Sequence, residues 1–99
     1  MNVACVEENL NEAATVLKAM SNPRRLRVMC SLCSGEKSVG ELEQIIGISQ
    51  SALSQHLAKL REDDLVKTRR QSQTIFYSLK HSAIPELLSC LNRLYTKAD

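Results

Sequence analysis

A small, mainly α fold carrying one two-stranded β-ribbon is what this sequence predicts, and three observations predict it. Apolar residues recur at spacings of three and four along five stretches, as they do on helices with one buried face. Between the third and fourth stretches, a glycine two residues before a capping serine leaves room only for a tight turn. After Asp64 the period falls from 3.6 to 2 over two runs joined by a polar loop, which is ribbon patterning.

The chain has 99 residues, and we expect one domain over 1–99 with a single core. A domain this small hides only roughly 60–70% of its unfolded surface, so a partner subunit would add to its stability. At 43% apolar and 24% charged, the composition is that of an ordinary soluble protein. Its apolar runs fall far short of the roughly 18 residues that span a bilayer, so no membrane partner is expected. The N-terminus is acidic, without the basic and apolar regions of a signal peptide, so the expected location is the cytoplasm. Net charge is +2. Residues 1–20 carry Lys18 against Glu7, Glu8 and Glu12. Residues 49–80 carry Lys59, Arg61, Lys67, Arg69, Arg70 and Lys80 against Glu62, Asp63 and Asp64, so the middle is the basic part, suited to an anion.

Taken in order, residues 6–20 form the first helix, striped by Val6, Leu10, Ala13, Ala14, Leu17 and Met20. Asn22 caps the second helix and Pro23 fills its first position. That helix runs to about Cys33, with Leu26, Met29, Cys30 and Cys33 on one stripe, Val28 and Leu32 beside it, and Gly35 near its stop. Ser38 and Glu41 make a capping box for the third helix, which buries Val39, Leu42, Ile45 and Ile46 and ends at Gly47. Ser49 caps the fourth. Residues 38–62 are therefore a helix-turn-helix. Residues 65–79 form the ribbon, with Gln71-Ser72-Gln73 as its loop and basic residues towards its tip, in other words a wing. Ser82 caps the last helix, 82–96, with Pro85 in its first turn and an apolar stripe of Ile84, Leu87, Leu88, Leu91, Leu94 and Tyr95.

The fourth helix has two unlike faces. At 100° per residue, Leu57, Leu60 and Asp64 fall within about 40° of Leu53, with His56 at the edge. The other side carries Ser51, Ser54, Gln55, Ala58 and Glu62, flanked by Lys59. Short polar side chains of this kind let a helix approach another surface closely.

The segments Asn22-Pro23-Arg24-Arg25-Leu26-Arg27, Ser38-Val39-Gly40-Glu41-Leu42 and Ser49-Gln50-Ser51-Ala52-Leu53-Ser54-Gln55-His56-Leu57 stand ahead of Leu60-Arg61-Glu62 and Leu65-Val66. Together they resemble the ArsR/SmtB family of bacterial transcription regulators, from roughly Leu17 to Tyr95. Within that family the segments resemble the branch containing HlyU and BigR, which responds to thiol chemistry rather than to metal. The resemblance implies a winged helix-turn-helix and a homodimer on an inverted-repeat operator, usually repressing and in some members relieving another repressor.

The residues themselves support DNA as the partner. A recognition helix enters the major groove with its first turns at the base edges. Here those turns hold Gln50, Ser51, Ser54 and Gln55, after the capping Ser49. Gln pairs with adenine and Ser serves either base. Lys59, Lys67, Arg69 and Arg70 are expected on phosphates, with Gln71 and Gln73 at the wing tip. The bland reading is a protein-docking winged helix with a merely solvated Ser/Gln face; the agreement of cap, turn, face and wing favours DNA. The first and last helices carry more apolar stripe than one small core needs. Val6, Leu10, Leu17, Leu88, Leu91, Leu94 and Tyr95 are therefore expected to form a dimer interface. Two recognition helices would then sit roughly 34 Å apart, one turn of DNA. The alternative is that these helices only close the monomer's core.

No cofactor, metal or enzymatic activity is expected. His56 is read as a core-edge imidazole, and His81 has no ligand partner at suitable spacing. The helix before the turn offers Glu41 and Glu43, and the last helix offers Glu86 and Cys90, neither a set able to hold zinc tightly. That disfavours a metal-responsive repressor. Cysteines stand at 5, 30, 33 and 90. Cys30 and Cys33 form C-x-x-C, which leaves a small dithiol oxidoreductase as a rival; with no parallel sheet nearby, core packing is the reading for Cys33. The resemblance implies that Cys30 is one half of a reactive pair. Its usual partner follows a Leu-Tyr, but here Leu94-Tyr95 is followed by Thr96. Cys5, Cys33 and Cys90 stay open as partners, provided their Cα atoms come within about 7 Å.

Overall fold

The computed structural model describes residues 9–96. Cys5 and Val6 lie outside them. Five helices and three strands follow in the order α1 (Leu10–Met20), α2 (Pro23–Leu32), β1 (Lys37–Ser38), α3 (Val39–Ile46), α4 (Gln50–Glu62), β2 (Val66–Gln71), β3 (Thr74–Leu79) and α5 (Ala83–Tyr95).

The local signals act through specific hydrogen bonds. The Asn22 side chain accepts from the backbone amides of Arg24 and Arg25 at 2.9 and 3.1 Å, with Pro23 opening α2. The Arg25 Nε donates to the Ala19 carbonyl at 2.9 Å and ties α2 to the end of α1. The capping box is complete: the Glu41 amide donates to Ser38 Oγ at 3.1 Å, and the Ser38 amide to Glu41 Oε1 at 2.9 Å. Gly47 ends α3 at φ 74°, the left-handed region that a side chain would strain. Ser49 Oγ then accepts from the Ala52 amide and starts α4.

The far end of α4 is a Schellman stop. The Leu65 amide donates to the Leu60 carbonyl and the Asp64 amide to that of Arg61, while Leu60 and Leu65 are both buried. Asp64 occupies the left-handed position at φ 62°. It is therefore not on the α4 seam, as its 100° phase predicts, because the helix has already ended at Glu62. Its carboxylate pairs with Lys80 instead.

The ribbon is part of a three-stranded antiparallel sheet in the order β1-β3-β2, not a two-stranded one. The extra strand is only Lys37 and Ser38, opposite Tyr77 and Phe76, and two residues carry no readable alternation. Gln71 pairs with Thr74, so the turn narrows to Ser72 and Gln73, with Ser72 at φ 57°.

The core is assembled from every helix. Val28, Met29, Leu42, Leu53, Leu57, Leu60, Leu65 and Ile84 are its largest fully buried side chains. Each such side chain contributes roughly 1.5–3 kcal/mol by leaving water. Three expectations need correcting. Cys30 and Cys33 are exposed, because α2 buries Val28, Met29 and Leu32. At 100° per residue, Cys30 lies about 150° and Cys33 about 90° from the centre of that arc. Ile45 is exposed while Leu42 and Ile46 take the inner face of α3. Ser82 is itself in helical conformation and makes no side-chain cap to α5.

Candidate nucleic-acid interface

Everything that positions α4 lies on one side of it. Leu53, Leu57 and Leu60 are at most 2% exposed and fix the helix against the core. Gln50, Ser51, Ser54 and Gln55 are all exposed, and the exposed face continues through Ala58 and Arg61. The sharp stop at Gly47 and the Ser49 cap make the first two turns of α4 protrude with their polar side chains free of the core. Lys59 sits at the margin, half-buried and 3.5 Å from Asp63. At 3.5 Å and with this i,i+4 spacing the pair contributes only a few tenths of a kcal/mol, so the Lys59 charge remains available.

Strand alternation divides the wing's cations between two faces. Thr68 is opposite Tyr77 and Arg70 opposite Ile75, so these four share a face. Ile75 and Tyr77 line a cleft with Val39, Gln50, Ser54 and Ala58, so this is the face turned to α4. Gln50 also lines a second cleft with Gln73 and Thr74, which brings the wing tip beside the start of α4. Arg70 Nε donates to the Ser72 carbonyl at 3.1 Å.

Lys67, Arg69 and Gln71 point the other way, and Arg69 is heavily engaged there. Its Nε and Nη2 donate to the two carboxylate oxygens of Glu36 at 3.0 and 2.7 Å. Its Nη1 donates to Gln71 Oε1 at 2.9 Å, and the guanidinium carbon lies 4.6 Å from the Phe76 ring centre. The Arg69 hydrogen bond holds the Glu36 carboxyl below its usual range, with smaller help from the charges of Arg69 and Lys67; Glu36 in turn raises Arg69. Sequence reasoning gave Arg61 a charge but no role. Ser54, Ala58 and Arg61 share one helical face and line the same cleft, a signal readable from their spacing.

His56 is half-buried at the edge of the core. Burial, followed by the charges of Arg25 and Arg24, depresses its pKa. Burial and then neighbouring Cys30 push the Cys33 thiol up. An activated nucleophile needs the opposite shift. Cys30, Cys33 and Cys90 are exposed free thiols. Among the described residues, no group of three His, Cys, Asp or Glu side chains comes together to hold a metal ion. Among those residues, no helix is long and apolar enough to cross a membrane.

A helix presented by a tight turn, with a strand ribbon at its side, makes this a winged helix-turn-helix. Residues 22–68 match the family described as "Bacterial regulatory protein, arsR family". The transcriptional activator HlyU of Vibrio cholerae is 48% identical over 99 residues, covering 100% of this chain and 92% of that protein. The biofilm growth-associated repressor of Xylella fastidiosa is 50% identical over 91 residues, covering 92% of this chain and 77% of that protein. The crystal structure of the transcriptional repressor BigR from Xylella fastidiosa superposes with a TM-score of 0.92 at 44% identity, covering 99% of this chain and 100% of that one. The chain belongs to the arsR family of bacterial regulatory proteins, and its function is DNA-binding transcriptional regulation.

Proposed function

We propose that this regulator acts in the bacterial cytoplasm as a homodimeric repressor on an inverted-repeat operator. Gln50, Ser51, Ser54 and Gln55 read base edges, while Ser49 stands at the margin of that face. Lys59, Arg61, Lys67 and Arg70 neutralise phosphates, and Gln71 and Gln73 follow the backbone beside the wing tip. The observation that carries this reading is the α4 surface, where polar side chains stand exposed over a fully buried leucine seam. Occupying a promoter blocks transcription without any further contact, which makes repression the simplest outcome.

Apolar exposure supports the dimer. Leu10, Leu17, Leu94 and Tyr95 are 54, 59, 70 and 85% exposed, and Leu88 and Leu91 are half-buried beside them on α5. A small domain does not ordinarily leave this much apolar side chain in water. Pairing α1 and α5 with their symmetry mates would cover it.

Thiol chemistry at Cys30 is the proposed signal, with Cys33 and Cys90 as the partners among the described residues. Exposure of all three supports it. Oxidation or persulfidation there would shift DNA affinity by repacking α2 against the dimer helices, by about 5- to 150-fold if the coupling is typical. A gel shift on the DNA upstream of its own gene tests the first claim. Sequence-specific retardation is expected, and binding no tighter than to random duplex would overturn it.

A further inference from the structure

We propose that Glu36 is a positioning residue for DNA binding: it holds Arg69 on the outer face of the wing, so that of the wing's two arginines it is Arg70 and not Arg69 that meets phosphate. The proposal rests on the DNA-binding reading and adds a residue outside both the recognition helix and the wing.

Glu36 stands in the connection from α2, immediately before β1. β1 pairs with β3 through Ser38 and Phe76, and Arg69 lies opposite Phe76 on the other edge of β3. The Arg69 side chain therefore crosses the middle strand, stacks on the Phe76 ring and meets Glu36 beyond it. Both carboxylate oxygens are used, in the paired geometry that favours arginine over lysine. Gln71 takes a further donor on the same face. A guanidinium held by a carboxylate, an amide and an aromatic ring must give up these contacts before it reaches a phosphate. Arg70, one residue on and turned to the opposite face, has only the Ser72 carbonyl as a hydrogen-bonded partner of its side chain among the described residues.

The clamp acts on charge as well as on direction. Glu36 neutralises Arg69 and faces Lys67, so it removes positive potential from the outer face and leaves it on the α4 side. It also fixes the wing to the connection between α2 and β1 through a contact spanning 33 residues of sequence.

The test is the salt dependence of binding to a random-sequence DNA duplex, which counts phosphate contacts. Glu36→Ala and Glu36→Gln should steepen the logarithmic salt slope by about 0.9 per protomer as Arg69 is released onto a phosphate, a roughly threefold greater loss of affinity over a fourfold rise in salt. Arg69→Ala in the native background should leave the slope unchanged. The double variant E36A/R69A should return to the native slope, a result that mere loss of stability does not produce. A native slope in both Glu36 variants, or a slope reduced by Arg69→Ala alone, would overturn the proposal while leaving DNA binding intact. Salt-independent binding by the native protein would overturn both.

Discussion

Arg69 reaches across the central strand of the sheet to grip both oxygens of Glu36, at 3.0 and 2.7 Å, with the Phe76 ring beneath it. Arg70, its neighbour in sequence, faces α4. Two adjacent arginines that look alike in the sequence therefore have different surroundings, one engaged on the outer face and one turned to α4.

This pairing makes Glu36 titrate below the usual carboxylate value of 4.5. A depressed carboxylate pKa means that the clamp is present at neutral pH and is lost as pH falls through the folded-state value. A carboxyl carbon NMR titration of Glu36 should show the low midpoint, and Arg69→Ala should move it back up towards 4.5.

The turn that presents α4 depends on one backbone conformation. Gly47 sits at φ 74° with nothing within 4 Å of a added Cβ, so strain alone opposes a side chain there. Gly47→Ala should cost about 1 kcal/mol, as L-residues pay in the left-handed region. Gly40, inside α3, meets only Ser38 Oγ at 3.9 Å. Gly40→Ala should stabilise by about 0.5–1 kcal/mol through helix propensity. Thermal unfolding of the two variants checks the opposite signs.

Exposed side chains on α1 and α5 give a clean test of assembly. Leu94 is 70% exposed, so Leu94→Glu leaves the monomer's core intact. Sedimentation should show a folded monomer, with operator affinity reduced far more than affinity for random duplex. An unchanged dimer would place the interface elsewhere.

The thiol proposal separates Cys30 from its neighbours. Operator binding should change on treatment with persulfide in the native protein and in Cys90→Ser, and should not change in Cys30→Ser. If native and Cys30→Ser proteins respond alike, Cys30 is not the sensor. Cys33 lies three residues before Glu36, so a chemical change at the end of α2 falls close to the wing clamp.

Much of the architecture was legible because it is encoded locally. Asn22, Ser38 with Glu41, Gly47 and Ser49 each satisfy or terminate a helix end through partners within four residues. The Leu53–Leu57–Leu60 seam likewise follows from helical spacing alone. What escaped depends on distant residues or on helix phase. β1 is too short for a pattern and exists because β3 supplies its partner. Spacing on α2 admits a stripe through Cys30 and Cys33 as well as one through Val28 and Leu32, and only the packing of the other elements buries the second. The Glu36–Arg69 pair joins residues 33 positions apart, and no periodicity relates them.

The most direct test of DNA recognition compares Gln55→Ala with Arg70→Ala on two duplexes, one from the chain's own upstream region and one of random sequence. Gln55 stands on the exposed face of α4 and Arg70 on the wing, so the two losses should differ in kind. Gln55→Ala should weaken specific binding by about 1–3 kcal/mol and leave random-duplex binding nearly unchanged, whereas Arg70→Ala should weaken both about alike. Equal losses on the two duplexes for Gln55→Ala, or no preference of the native protein for its own upstream DNA, would contradict the assignment of α4 as the reading helix.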